Sequence, residues 1–340
     1  MKILRQNKDV WTLFWIAKYF LISGLAWQYD TALSTPARGC LIVLLSYYSF
    51  AGACITHNCM HCRVFYSAKL EAIFRILLSF TYGHPSSTFK SGHNLSHHRH
   101  LETKMDAMRT TKLQYRYHFL NLLLYQPTVA FSVMLMDLKY LKLMKLERQS
   151  FFIYSSIEWI LVIWLHFLLF VNNWWCFLLY VKLPHLWAQT AIVTMNLLQH
   201  DGCDSESDLH HSRNFTGSVI NFLTFNNGYH SIHHDKPNLH WSKLKTEHNR
   251  KYHDLPNNLN QKNMFRYIVK TFVYPAHRID YTGKPLIVKE MGQDEDWIHL
   301  HVSNEKIQKE DFELQWQDSW ILFFLLVIKS ISFCYSPLHF

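Results

Sequence analysis

The chain has 340 residues, of which 49% are hydrophobic and 17% are charged. This balance excludes an intrinsically disordered protein and a coiled coil, because both carry more charge and less apolar surface. The net charge of +9 leaves two kinds of partner open, a nucleic acid or an anionic membrane surface.

Four apolar stretches are long enough to cross a membrane as helices. A hydrocarbon core of about 30 Å needs about 20 apolar residues. The sequence predicts spans at about 10–27, 38–56, 151–171 and 174–198. The first stretch is too long and too rich in Trp and Phe for a cleaved signal peptide, so an uncleaved span is expected. The predicted fold class is therefore an all-α membrane protein with about four transmembrane helices.

A fifth apolar stretch, residues 119–138, carries Gln126 and Pro127 in its middle. For this reason we expect it to lie on the membrane surface or to be half inserted. The basic run that follows, residues 139–148, spaces its lysines three apart, as an amphipathic helix on anionic headgroups does. The net charge is thus assigned to the membrane. The sequence has no zinc-finger or RNA-binding motif, and no nucleic-acid partner is expected.

Lysine and arginine concentrate at the N-terminus, in the stretch 63–116 and in the run 139–148. The connections 28–39 and 172–173 contribute only Arg38 between them. Cytoplasmic segments of membrane proteins carry the excess of these residues. We therefore expect a multi-pass integral membrane protein with both termini on the cytoplasmic side.

Histidine is the commonest metal ligand, and many of the 23 histidines fall in clusters. Residues three or four apart lie on one helix face and can bind one metal ion, whereas adjacent residues point about 100° apart and can serve different ions. The clusters follow predicted spans or lie in predicted cytoplasmic segments, so they can meet in a helical cap on the cytoplasmic side. They are His57 and His61; His93, His97 and His98; Asn196 with His200; and His230, His233 and His234. The pattern predicts a site for two metal ions, built mainly from imidazole.

Three of these clusters read HxxxH, HxxxHH and HxxHH along the chain, and in this order they resemble the histidine boxes of the membrane fatty acid desaturase superfamily. Residues 226–241 are similar to the third-box region of that superfamily, including its downstream Pro and Trp. The resemblance covers roughly residues 11–244 and implies a desaturase-like domain at 1–284. Residues 285–340 form a C-terminal extension that is first acidic and then apolar, and no role is assigned to it.

The resemblance implies two iron ions that activate O2 as co-substrate, and a reaction that inserts a double bond into an acyl chain. It implies the nine clustered histidines as iron ligands, and Asn196 as a ligand that acts directly or through water. The substrate would be an acyl lipid or acyl thioester. Because the stretch from Gly83 to Ser86 fails the His-Pro-Gly-Gly haem pattern, electrons are expected from a separate carrier of ferredoxin or cytochrome b5 type.

Two alternatives stay open at this point. A hydroxylase or monooxygenase of alkanes, acyl chains or carotenoids would use the same scaffold and the same boxes. A non-enzymatic membrane protein would use its histidines to transport or sense metals. The metal is open as well, since nitrogen-rich sites bind Zn and Cu at least as tightly as iron.

Three further features concern the surroundings of the predicted site. The carboxylates that are candidates to hold the second ring nitrogen of a ligand are Asp106, Asp201, Asp204 and Asp235. Cys59 and Cys62 form a CxxC pair interleaved with the first box, which alternatively indicates zinc or redox chemistry. His210 and His211 are expected to lie in a loop and to tolerate substitution. Cysteine spacing excludes a disulfide scaffold and favours a reducing compartment.

Overall fold

The computed structural model describes residues 2–288 and 291–298, and most of these residues are helical. The apolar stretch near the C-terminus, residues 320–340, lies outside the described residues. The main helices, in chain order, are α1 Asp9–Gln28, α2 Thr35–His61, α3 Ala68–Tyr82, α4 Lys90–His97, α5 His118–Glu147, α6 Gln149–Asn172, α7 Trp174–His200, α8 Ser218–Leu223, α9 His230–Asp235, α10 Leu244–Lys251 and α11 Met264–Ile268.

Several shorter elements complete the described chain. Helix α4 is π-helical, and α7 contains a π-helical stretch at Leu178–Lys182. Single helical turns lie at Asp30–Ala32, His98–His100, Thr110–Lys112, Trp241–Lys243 and Val269–Val273. Two strands, β1 Asn214–Phe215 and β2 Asn260–Gln261, form a parallel pair with Asn214 opposite Asn260. The fold class is thus all-α, as the sequence predicts.

Five helices of the described chain are long and apolar enough to cross a membrane: α1, α2, α5, α6 and α7. Four of them contain the predicted spans, and α5 is a fifth candidate. Helix α5 is continuous through Pro127. Its placement at the membrane surface or half inserted stays a prediction. Proline is tolerated in such helices because nearby Ser and Thr side chains satisfy freed backbone groups. The carbonyl that Pro127 frees is that of Leu123, and the Thr128 hydroxyl donates to the neighbouring Leu124 carbonyl. Gln126 lines an internal cavity.

The outer faces of these helices carry exposed apolar side chains. Val43, Ile160 and Phe167 are each exposed over more than half of their surface. A soluble protein rarely leaves so many large apolar groups in water. These apolar faces are suited to contact with lipid. The helices can lie in lipid because their backbone polar groups are already paired within each helix.

Glu158, the acid within the predicted span 151–171, is fully buried and positions α4. Its carboxylate accepts hydrogen bonds from the hydroxyls of Ser79 (2.6 Å) and Ser86 (2.7 Å), and from the backbone N–H of Ser87 (2.9 Å). A buried carboxylate is tolerated only when its lone pairs are satisfied in this way. The contacts tie α6 to the end of α3 and to the turn that leads into α4.

Candidate metal centre

Nine histidines meet at the end of the helix bundle where α2 and α7 terminate. They form two groups, and within each group one ring nitrogen of every member lies within 4.8 Å of the others. The first group is His57, His61, His93, His98 and His233, and the second is His97, His200, His230 and His234. These are the nine histidines that the sequence indicates, and the structure brings all of them together.

The division of the histidines into two groups follows from helix geometry. Adjacent residues separate as expected: His97 and His98 belong to different groups, and so do His233 and His234. The pair His57 and His61, four residues apart, stays together on the last turn of α2.

The second box departs from α-helical spacing. An α-helix would place His93 and His97 on one face, yet His93 shares its group with His98. The cause is the π-helical geometry of α4, in which the backbone N–H of His98 donates to the carbonyl of His93. A π-helical turn inserts one extra residue, and such turns often occur at functional sites.

The ring nitrogens approach one another in a pattern that hydrogen bonds alone cannot satisfy. His98 Nε2 lies 3.1 Å from His93 Nε2 and 3.1 Å from His233 Nε2. In the second group, His230 Nε2 lies 2.8 Å from His200 Nε2 and 3.1 Å from His234 Nε2. A single nitrogen offers one proton or one lone pair, so it cannot satisfy two such neighbours.

These distances fit metal coordination. Imidazole nitrogens that bind one ion at about 2.1 Å and at right angles lie about 3.0 Å apart. His61 Nε2 and His97 Nε2 are buried and have no hydrogen-bond partner in the described chain. Buried polar atoms without partners are costly, and a cation at each group would supply the missing interaction.

The protonation states also suit metal binding. Burial lowers the pKa of His93, His98, His230, His233 and His234 well below the usual 6.5, and the neighbouring imidazoles lower it further. These rings are therefore neutral at pH 7. A neutral imidazole has the free lone pair that a metal ion requires.

Ligand orientation depends on what holds the second nitrogen of each ring. Asp106 Oδ2 lies 2.9 Å from His97 Nδ1, and both side chains are fully buried. His200 Nδ1 donates to the carbonyl of His211 at 3.1 Å. A carboxylate and a carbonyl accept hydrogen bonds, so both contacts hold a proton on Nδ1, and each Nε2 is directed into the second group.

Of the four carboxylates that the sequence suggests, Asp106 contacts a clustered histidine. Asp201 instead forms a buried ion pair with Arg278, with 3.0 Å between its Oδ2 and the guanidinium Nε. Asp235 accepts from the Tyr252 hydroxyl at 2.6 Å and lies 3.5 Å from His211 Nε2.

We expect Asp106→Ala to weaken metal binding about 10- to 100-fold, because His97 would lose its orienting partner. Competition with a coloured chelator in detergent measures this affinity. Asp254→Ala is a matched control, since the side chain of Asp254 is 99% exposed. Equal metal affinity in Asp106→Ala and the unmodified protein would contradict the orienting role.

His211 lies in a loop, as expected, but it is buried, so we now expect its substitution to be harmful. Its carbonyl accepts from His200, and its ring contacts Tyr252 and Asp235. The loop folds back beneath the end of α7, which a sequence pattern cannot show. His210, in contrast, is half-buried and stacks on Tyr281.

Arg213 is a residue that the sequence analysis missed. Its guanidinium is fully buried and donates to the carbonyls of Leu198, Asp201 and Asn258 at 2.9–3.0 Å. These bonds hold the end of α7, and therefore His200, against the segment that precedes β2. Arg213 belongs to no histidine box and to no predicted span, so no sequence pattern marked it.

Asn196 lies on α7, one turn before His200. Its Nδ2 donates to the Met108 carbonyl (2.9 Å) and lies 2.7 Å from the Tyr125 hydroxyl. A carbonyl only accepts hydrogen bonds, so the amide orientation is determined and Oδ1 is the atom left for a metal or a water.

The CxxC pair takes no part in either group. Cys59 is buried, and the Cys62 thiol donates to the Asn238 carbonyl at 2.8 Å. Burial raises the pKa of Cys62 to about 11, so its thiol is protonated at pH 7 and is a poor metal ligand.

An open cavity lies beside both groups. His57 and His93 of the first group and His230 of the second line it. Its walls are largely apolar and include Phe89, Val129, Val133, Ile192, Val193 and Met195. An elongated apolar ligand in this cavity would therefore lie against both histidine groups.

A family model described as fatty acid desaturase matches residues 34–264, about two-thirds of the chain. The matched region contains all nine clustered histidines and Asn196. No curated protein and no solved structure matches the chain.

Proposed function

Because the chain belongs to the fatty acid desaturase family, we propose that it is an O2-dependent di-iron desaturase that inserts a double bond into an acyl chain. Membership makes it an integral membrane oxidoreductase of the desaturase and hydroxylase type. The observation that carries the finer proposal is the pair of imidazole groups beside an apolar cavity. The substrate would be an acyl lipid or an acyl thioester.

We propose that each histidine group holds one iron ion. His57, His61, His93, His98 and His233 would bind one ion, and His97, His200, His230 and His234 the other, with Asn196 Oδ1 acting directly or through water. When bound, the two ions would supply the activation of O2 needed to remove hydrogen from an unactivated C–H bond. Imidazole donors accept Zn and Cu as well as Fe, so metal analysis of the purified protein is part of the test.

The protein's own residues perform the remaining tasks. Buried neutral imidazoles present their lone pairs without first losing a proton, which favours metal binding at pH 7. Asp106 and the carbonyl of His211 keep the rings of His97 and His200 in the productive tautomer. The apolar cavity walls exclude water and bind the acyl chain, at about 0.8 kcal/mol for each buried methylene.

We further propose that the metal centre and both termini face the cytoplasm. The basic stretch 63–116, which contains the second box, supports this orientation. The electrons would come from a separate carrier of ferredoxin or cytochrome b5 type, which would approach the same side.

The test is lipid profiling of a host that expresses the protein, with and without O2. We expect an acyl species with one additional double bond that appears only with O2 and is absent when His97→Ala is expressed instead. Incorporation of ¹⁸O from labelled O2 into the lipid would instead establish a hydroxylase. An unchanged lipid profile with a correctly inserted, iron-loaded protein would contradict an acyl substrate.

A further inference from the structure

Residues 291–298, which we name the C-terminal strap, cross the loop that joins α4 to α5. The acidic residues of the strap each meet a cation: Asp294 pairs with Arg109 and Lys112, Glu295 with Lys104 (3.1 Å), and Asp296 with Lys139 (3.0 Å). Backbone contacts add to these pairs. The N–H of Glu295 donates to the carbonyl of Lys104 at 3.0 Å, and Arg109 donates to the carbonyl of Gly292 at 2.7 Å.

The strap ends on an apolar anchor. Trp297 is 1% exposed and Ile298 is buried, in one cluster with Leu95, Ala107, Met136, Tyr140, Met144 and Phe151. The Trp297 and Tyr140 rings lie 5.9 Å apart between centroids. Exposed ion pairs such as Lys104 with Glu295 contribute little, whereas a fully buried tryptophan contributes strongly. Trp297 is therefore the residue that holds the strap in place.

The loop beneath the strap is the one that carries Asp106. The strap contacts both ends of segment 104–109 of this loop, at Lys104 and Arg109. Ala107, within the segment, packs in the anchor cluster. On its inner side, Ser96 of α4 donates to the Met105 carbonyl and accepts from the Ala107 N–H, each at 2.8 Å. The loop is thus clamped between the strap and α4.

We propose that the C-terminal strap is a positioning element for the metal centre. It fixes residues 104–109 so that the Asp106 carboxylate stays on His97 Nδ1, 2.9 Å away, and so that the His97 ring stays aimed into the second group. The strap lies outside the region that the family model matches, residues 34–264. The inference rests on the proposed metal centre.

The experiment compares Trp297→Ala with Ile287→Ala, a control at an 87% exposed position shortly before the strap. The readouts are the rate at which excess chelator removes iron, the spectroscopic signature of the bound iron, and hydrogen exchange of residues 104–109 in metal-free protein. We expect Trp297→Ala to lose iron about 10-fold faster, with an altered signature and faster exchange in that loop. Ile287→Ala should match the unmodified protein, and Trp297→Phe should restore most of the difference.

A second variant keeps the test decisive if Trp297→Ala fails to fold. Asp294→Asn removes the negative charge that pairs with Arg109 and Lys112, and we expect iron loss about 3-fold faster, since the pair is partly exposed. Asp254→Asn, at an exposed site, is its control. If Trp297→Ala leaves the rate of iron loss and the hydrogen exchange of the loop unchanged, the strap inference is overturned. If Trp297→Ala does not fold, the same result in Asp294→Asn overturns it. If the unmodified protein binds no iron, the proposed function fails instead, and loop exchange in the metal-free variants still decides the inference.

Discussion

We expect His97→Ala to abolish turnover and to lower the bound iron while the protein still reaches the membrane. His97 contributes a buried Nε2 without a partner to the second group, which has only four members. Its loss removes one ligand and leaves the buried carboxylate of Asp106 without the ring it holds. His233→Ala should have the same effect through the first group. Metal analysis of the purified protein and product analysis in the expression host measure both outcomes.

The matched control is His253→Ala. The side chain of His253 is 75% exposed and belongs to neither group, so this variant should keep full activity and full iron content. Full activity in either His97→Ala or His233→Ala would show that the ligand assignment is wrong.

We expect Ile192→Trp to reduce turnover by more than about 10-fold while the iron content stays unchanged. Ile192 lines the cavity on α7, one turn before Asn196, and it is not a member of either histidine group. With an indole at this position, an acyl chain that enters the cavity would overpack it. Overpacking costs about 1–3 kcal/mol. Activity on the preferred substrate, together with iron content, separates a blocked cavity from a damaged metal site.

Leu186→Trp is the control for this change. Leu186 lies on the same helix and is 44% exposed on the outer face, so the same indole adds no bulk to the cavity. Equal activity in Ile192→Trp and Leu186→Trp would place the substrate elsewhere. Loss of iron in Ile192→Trp would mean that the cavity wall also supports the metal centre.

The sequence was most informative about the long apolar stretches. Apolar runs of the length of a bilayer located α1, α2, α6 and α7, because the thickness of the hydrocarbon core sets the length of a span. For α5, Gln126 and Pro127 suggested a surface or half-inserted segment, and this placement stays a prediction. The proline is accommodated there, and Gln126 faces a cavity instead of lipid. Which side chains face an internal space is decided by the neighbouring helices.

The identity of the clustered histidines was predictable, and their division into two groups was only partly so. Spacing correctly separated His233 from His234 and kept His57 with His61. It did not predict that His93 and His98 share a group, because a π-helical turn cannot be recognised from the spacing of residues in the sequence. Whether these rings bind iron stays a prediction for metal analysis.

By itself, the sequence determined the class of the protein, the identity of the nine histidines and the kind of chemistry they suit. These depend on local spacing and on residue type, which a linear pattern records. Only the tertiary structure decided that Asp106 holds His97, that His211 is buried under α7, and that Trp297 clamps the loop beside the centre. Each of these contacts joins segments whose approach depends on how the whole bundle packs, and packing is a property of all the residues together.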